Sequence, residues 1–393
     1  MKILVVCQFY YPENFVITKI AEELVKIGHD VTVLTGKPNY GYDKILPEYK
    51  KVKYEEINGV KVHRVNLIAR SKSRISIIRN YLSFWRNSKK WIRKCKEKFD
   101  LVYSMSLSPV TILSAGNLYK KLHNVPHVVH CVDLWPESVL ITHAVKEKSL
   151  IYKILYKWSK ALYSKADRVL VGSPSFKEYF KDVLGFDTSH ITYVPQPSLV
   201  EDTSGPIYEF KDEFNILYCG NLGRIQLIPL ICESMKLITN EKIKFHVIGM
   251  GPKTEELKKQ IIDNNLENKV FYHGPIPARI ASNYFRGADA LYISLSGNGY
   301  VGKTIPNKLM MSMAFAKPII TVLSGDGKDV VEASNGGINC DENPESVAEA
   351  INKLYSLSLE ERKKLGQNNQ VYYQEHFSLK VVSQLIDSCF KEF

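Results

Sequence analysis

The sequence predicts an α/β chain built from two doubly wound domains in series. Three observations carry that reading. Apolar runs of strand length alternate with segments of helical period along both halves, which implies parallel sheets with helices on both faces. One aperiodic stretch with three prolines, "YVPQPSLVEDTSGPIYEF" (193–210), interrupts the alternation. The 393 residues, 45% hydrophobic and 24% charged, suffice for two or three domains with cores of their own.

Taken in order, "KILVVCQF" is a first buried strand. "NFVITKIAEELVKIG" places Ile17, Ile20, Leu24 and Ile27 at helical spacing and stops at Gly28. "HDVTVLTG" is the next strand and "GVKVHRVNL" alternates like another. "FDLVYSMS", "PHVVHCV" and "ADRVLVGS" follow as buried strands with helical segments between them. After the linker the pattern restarts with "FNILYCGNLG", "IKFHVIGMGP", "KVFYHGPIP", "ADALYISLS" and "KPIITVLSG". "SLKVVSQLIDSCFKEF" closes the chain as an amphipathic helix. The predicted division is 1–198 for a first domain, 199–375 for a second, and 376–393 for a helix returning to the first.

Several chemistries are excluded or disfavoured. The first strand is not followed by G-x-G-x-x-G, so a dinucleotide oxidoreductase is a poor fit. There is no P-loop, no zinc-ligand spacing and no G-x-S-x-G elbow. The seven cysteines form no C-x-x-C pair and read as free thiols in a reducing compartment. The N-terminus lacks the apolar region and cleavage site of a signal peptide, and no run is long enough to span a bilayer. The expectation is a cytoplasmic protein.

Ligands of doubly wound sheets bind at the carboxyl ends of the strands, so function is expected in the loops there. In the second half those loops are "CGNLGR" (219–224), "GMGP" (249–252), "HGPIP" (273–277), "KTIPNK" (303–308) and "SGDGKD" (324–329). Glycine turns, Arg224, Lys308 and a helix start suit a diphosphate. "KTIPNKLMMSMAFAKPII" (303–320) reads as a helix with Pro306 in its first turn, then a strand. Lys303 and Lys308 flank that helix start with no acid near them in sequence. A cation there is unfavourable by roughly 0.3–1 kcal/mol, so an anion is wanted. The plain alternatives are a solvated Arg224, a surface Lys308 and tight-turn roles for Gly249 and Gly251. Met310, Met311 and Met313 read as core filler.

With these motifs in view, the chain resembles the GT-B glycosyltransferases of family 4 over nearly its full length. It is most similar to the branch that includes the N-acetyl-L-fucosamine transferases of O-antigen and capsule pathways. "FYYPENF", "GHDVTVLTGKPNY", "NYLSF", "DLWPES", "YVPQPSLVED", "CGNLGRIQ", "GMGP", "ADALYISL", "TIPNKLMMSMAFAKPII" and "SGDGKDVVE" carry the likeness. The resemblance implies two Rossmann-like domains facing a central cleft. It also implies a retaining transfer from a nucleotide-sugar donor, with no metal and no cofactor. By the same likeness Gly220, Asn221, Arg224 and Lys308 belong to the donor pyrophosphate, Gly251 and the backbone around Ile276 line the base pocket, and Asp326 of the "SGDG" turn and Glu332 lie near the transferred sugar. Gln226, Gly249, Thr304 and Asn307 are further donor-binding candidates. Asn14 and Phe15 stand where the wider family has glycines, with backbone amides facing the diphosphate. Asp133 is the catalytic residue of the first domain, and His130 is read as structural.

The chain departs from the family at three further places. Lys303 and Met311 replace a Glu pair whose second member holds the donor ribose, and Ala316 replaces a glycine before Lys-Pro.

Charge points to the acceptor. Residues 1–200 hold 32 Lys/Arg against 17 Asp/Glu, a net +15, while 201–393 hold 21 against 24, a net −3. Residues 70–98 alone carry eleven Lys/Arg and one Glu, with Ile78, Leu82, Trp85 and Ile92 on one expected helical face. Residues 146–165 repeat the pattern around Trp158. Such segments suit an anionic membrane surface, the alternative being domain helices that pack inward beneath a solvated charge. No nucleic-acid motif accompanies them. Lys72, Arg79, Trp85 and Trp158 are the acceptor and membrane candidates. The reading is a peripheral enzyme on the inner face of the cytoplasmic membrane. It would move a sugar, an N-acetylated deoxyhexosamine, from a UDP-sugar to a lipid-diphosphate-linked acceptor. The alternatives are a UDP-sugar epimerase of the same fold and a non-catalytic sugar-nucleotide-binding partner subunit.

Overall fold

A computed structural model describes the chain except for residues 72, 142–144, 148, 200–204 and 212–213. The chain divides into two compact units, Met1–Pro197 with Leu379–Phe393, and Ser198–Ser378.

The first unit holds an eight-stranded sheet. Its strands are β1 (Lys2–Val6), β2 (Asp30–Gly36), β3 (Tyr54–Ile57), β4 (Val60–Val65), β5 (Leu101–Ser106), β6 (His127–Cys131), β7 (Arg168–Val171) and β8 (Ile191–Tyr193), in the order β3-β4-β2-β1-β5-β6-β7-β8. All neighbours are parallel except β3, which pairs antiparallel with β4. The sequence reading treated this sheet as parallel throughout. The edge hairpin comes from Asn58-Gly59, both with positive φ (48° and 80°), the residue pair that a two-residue hairpin turn favours. Apolar residues of β1, β2 and β5 meet the helix Val16–Ile27 and the chain-terminal helix Leu379–Phe390. Val382, Ile386 and Phe390 of the latter join Ile3, Val5, Ile17 and Ile20 in one core. His29 Nε2 bonds Asp387 at 2.8 Å beside it. On the opposite face Leu4, Val6 and Leu34 pack with Phe84 and Ile92 of the helix Arg74–Lys94.

That helix corrects the sequence reading of its face. Ile92 is buried with Phe84, whereas Ile78 and Leu82 are exposed and Trp85 is half-buried. The buried stripe runs Asn80, Phe84, Ser88, Ile92, a four-residue step along the helix.

The second unit holds β9 (Phe214–Cys219), β10 (Ile243–Ile248), β11 (Val270–Gly274), β12 (Ala290–Ser294), β13 (Ile319–Val322) and β14 (Gly337–Asn339). They are all parallel and ordered β11-β10-β9-β12-β13-β14. Strand order reverses between β9 and β12, so the loops after those two strands flank the crevice where such sheets bind ligands. Alternate residues of each strand serve opposite cores. Ile216, Tyr218 and Phe245 face the helices Ile228–Leu237 and Pro344–Ser356, while Leu217, Leu291 and Ile293 face Leu309, Met310 and Met313. The helix opened by "KTIPNK" is shorter than its composition suggests. It spans Asn307–Met313, with Pro306 just ahead of it, and the chain then turns through Ala316 at φ 54°.

Candidate functional site

Gly220 follows β9 directly, with φ 153°. A Cβ there would lie 2.3 Å from Cε of Lys308 and 2.6 Å from its Nζ, so the bare glycine is the bed on which the lysine lies. The Lys308 ammonium donates to the Tyr218 hydroxyl at 2.6 Å and to the Asn221 carbonyl at 3.3 Å. The Tyr218 hydroxyl in turn donates to the Asn221 carbonyl at 2.6 Å. Among the described residues no carboxylate pairs with Lys308. Burial lowers its pKa to about 8. A half-buried cation whose partners are neutral oxygens favours an arriving anion. Tyr218 escaped the sequence reading because a tyrosine in a strand reads as core.

Arg224 is exposed on the same loop and has no hydrogen-bond or ion-pair partner among the described residues. Gln226 sits behind the loop. Its carbonyl accepts from Ser294 Oγ at 2.6 Å, and its buried Oε1 has no partner among the described residues. A Cβ on Gly223 would lie 2.1 Å from that Oε1.

Gly249 and Gly251 are explained by backbone packing. A Cβ on Gly249 would fall 1.8 Å from the Gly220 carbonyl, and one on Gly251 would fall 2.4 Å from the Leu222 carbonyl. Gly220 N–H donates to Ile248, Leu222 N–H to Met250 and Gly249 N–H to Gly274, at 2.9–3.0 Å. The loops after β9, β10 and β11 are thereby fastened together. Ile276 packs half-buried against the apolar face behind them.

The remaining donor candidates form separate small groups. Asp326 N–H donates to the Lys303 carbonyl at 2.9 Å, which fixes the "SGDG" turn against exposed Lys303. Thr304 Oγ1 donates to Val301 at 3.0 Å. Asn307 Oδ1 accepts from Ser198 Oγ at 3.2 Å. Glu332 is exposed and pairs with Lys328 at 3.6 Å. Met311 packs at the edge of the apolar core.

In the first unit, many motif residues knit loops to one another. Glu13 accepts from the Asn39 and Tyr40 amides, Asn80 Nδ2 donates to Asn39 Oδ1 at 3.0 Å, and Gln8 donates to Asn80 Oδ1 at 2.6 Å. Burial raises the Glu13 pKa. Phe15 stacks on Phe9 with centroids 5.0 Å apart and meets Tyr40 edge-on. Its N–H donates to the Glu13 carbonyl at 2.9 Å, so the expected free amide is occupied. Asn14 is exposed beside it. Asp133 follows β6 and accepts from Ser108 N–H at 3.3 Å, and burial raises its pKa. His130 is fully buried. Its Nε2 donates to the Val194 carbonyl at 3.0 Å, which leaves Nδ1 to accept from Tyr103 Oη at 2.8 Å. Burial lowers its pKa to about 4. Arg79 is exposed and Trp85 meets Trp158 edge to face, while Lys72 lies outside the described residues.

Residues 14–197 match the family of glycosyl transferase 4-like domains, and residues 213–356 match the glycosyl transferases group 1. HepE of Anabaena, solved with UDP, superimposes with a TM-score of 0.72 over 100% of both chains at 15% identity. The chain belongs to the GT-B glycosyltransferases. Over 298 residues (72% of each chain) this glycosyltransferase is 26% identical to a probable glycosyltransferase, WbjE, of Pseudomonas aeruginosa. It is also 22% identical over 241 residues, 59% of this chain and 58% of the other, to a Staphylococcus aureus protein. That relative is named UDP-N-acetylglucosamine–N-acetylmuramyl-(pentapeptide) pyrophosphoryl-undecaprenol N-acetylglucosamine transferase.

Proposed function

We propose that this glycosyltransferase moves a sugar from a UDP-sugar to a lipid-diphosphate-linked acceptor at an anionic membrane surface, with retention of configuration. The pathway is the assembly of a surface polysaccharide of the O-antigen or capsule kind, and the sugar is an N-acetylated deoxyhexosamine. The observation that carries the donor half is Lys308: a half-buried ammonium on a glycine bed, held by neutral oxygens. Breaking a sugar–diphosphate bond puts negative charge on the leaving group, and a fixed cation stabilises it where it develops. Arg224 supplies a second cation, on the loop after β9 whose Gly220 the Lys308 side chain lies against. UDP is favoured because HepE is described in complex with UDP and with UDP-glucose. The ribose falls to groups other than Met311, such as the backbone of the "SGDG" turn.

The name of the S. aureus relative supports a lipid-linked acceptor, and the basic first half supplies cations for it. Asp133, with its pKa raised by burial, is suited to accept a proton from the acceptor hydroxyl. A thermal-shift panel of UDP-, GDP-, dTDP- and ADP-sugars tests the donor, since a ligand that binds only the native state raises the melting temperature. The expected result is a rise with UDP-sugars alone. A rise confined to another nucleotide would overturn the donor assignment.

A further inference from the structure

Two sequence motifs, "GKPNY" (36–40) and "NYLSF" (80–84), converge on one arginine. Asn39 Oδ1 of the first accepts from the Arg70 backbone N–H and from Asn80 Nδ2 of the second, each at 3.0 Å. Asn80 Nδ2 also donates to the Ile68 carbonyl at 2.7 Å, so the loop that carries Arg70 is tied down at two points. The next residue of each motif then takes the Arg70 side chain. The guanidinium lies 5.0 Å from the ring centre of Tyr40 and 5.8 Å from that of Tyr81, and its Nη1 donates to the Tyr81 hydroxyl at 3.3 Å.

Arg70 is half-buried, and among the described residues no carboxylate pairs with it. Glu13, the acid of this network, is spent on the Asn39 and Tyr40 amides. A guanidinium carries five N–H donors in a rigid fork, and the bond to Tyr81 uses one of them. An arginine that is merely solvated keeps its rotamers. This one is fixed in advance between two rings, with its charge and most of its fork unspent. Such a group suits a phosphate, which the fork takes by two parallel hydrogen bonds.

The seat is also joined to the proposed base. The Tyr81 hydroxyl reaches the Ser108 side chain, Trp135 Nε1 donates to Ser108 Oγ at 2.7 Å, and Ser108 N–H donates to Asp133 Oδ2 at 3.3 Å. Arg70, Ser108 and Asp133 stand in the segments that follow β4, β5 and β6, all at the carboxyl edge of the first sheet.

We propose that Arg70 binds the diphosphate of the acceptor, with Tyr40 and Tyr81 as the residues that position it. The donor diphosphate is assigned to Lys308 and Arg224 of the second unit. Arg70 instead shares its unit, and an unbroken run of contacts, with the carboxyl suited to take the acceptor's proton. A cation and a base held in fixed relation present one acceptor by both its ends, the anion at Arg70 and the reacting hydroxyl at Asp133. The proposal rests on the lipid-diphosphate-linked acceptor reading above and names the residue that recognises its anion.

Titration calorimetry with geranyl diphosphate, a short prenyl diphosphate, tests it on protein saturated with UDP, so that the donor site is filled. Geraniol is the uncharged control, and UDP affinity and melting temperature are measured on every protein. Wild type should bind geranyl diphosphate and not geraniol. Arg70→Gln should weaken that binding at least about tenfold with UDP affinity unchanged, the scale of a lost charge-assisted contact. Arg70→Lys should recover part of the loss, since it keeps the charge without the fork. Tyr81→Phe, which keeps the ring and removes the hydroxyl, should show a smaller loss confined to the same ligand. Equal affinity for geranyl diphosphate in Arg70→Gln and wild type would overturn the Arg70 seat while the acceptor reading stands. A matching loss of UDP affinity in Arg70→Gln would place Arg70 on the donor and overturn the proposal. Wild type that binds UDP and ignores geranyl diphosphate would overturn both the seat and the diphosphate-linked acceptor.

Discussion

The two sheets end differently, and the contrast separates their work. At the carboxyl edge of the second unit, glycines let three loops touch backbone to backbone, and cations stand there with neutral partners or none among the described residues. At the carboxyl edge of the first unit the loops are filled. Phe9, Phe15 and Tyr40 stack together, Glu13 is buried among amides, and His130 is locked between Tyr103 and Val194. Bare backbone and unneutralised charge at the second edge favour an arriving anion. Side-chain packing at the first edge holds its loops in place around Asp133.

The contrast breaks first at Lys308. Lys308→Ala should lower turnover by about 10²–10³, the usual cost of one lost donor at a developing anion, and Arg224→Ala by at least about tenfold, both read in a transfer assay. If both enzymes turn over like wild type, the second edge does not hold the diphosphate. Gly249→Ala should be the most damaging small change to folding. Its methyl would fall 1.8 Å from the Gly220 carbonyl at a φ of 136°, and a loss of about 3 kcal/mol or more is expected from thermal unfolding. Ordinary stability in that variant would mean that the loops are not fastened as described.

The knitted edge makes a prediction about acid. Burial holds His130 neutral, with its pKa lowered to about 4. Unfolded chains take up the proton near pH 6.5, so between about pH 6.5 and 4 the unfolded state binds more protons and stability falls as pH falls. One such histidine contributes at most about 1.4 kcal/mol per pH unit. His130→Gln should flatten this part of the stability–pH curve, and a curve unchanged in slope would contradict a buried neutral His130. The smallest effect belongs to Ala316→Gly. Ala316 has φ 54°, a conformation costly for any residue with a Cβ, so glycine should stabilise by about 0.5–1 kcal/mol despite its greater unfolded-state freedom. Destabilisation there would mean that the Ala316 methyl contributes packing that outweighs the strain.

Most of the architecture was legible because buried parallel strands are short continuous apolar runs and the linker breaks their rhythm. The β3–β4 hairpin was not taken, although Asn58-Gly59 between two alternating runs is its signal. The helix after "KTIPNK" was read too long because helix-forming composition cannot announce a turn at Ala316. Among the described residues the partners of Lys308 are the Tyr218 hydroxyl and the Asn221 carbonyl, and its place at a helix start without an acid nearby was legible from charge alone. Tyr218 was not, because the strand pattern gives the same letter to a core phenol and to one that fastens a lysine. "FYYPENF" and "DLWPES" look functional in sequence, and much of them is structural. Glu13 ties loops through backbone amides, and Glu137 accepts from the hydroxyls of Tyr152 and Tyr179.

Titration calorimetry with UDP on wild type and on Lys308→Ala tests the central claim most directly. The account predicts binding to wild type and an affinity at least about tenfold lower in the variant, a loss of about 1.4 kcal/mol. Equal affinity in the two proteins, or no binding of UDP to wild type, would contradict it.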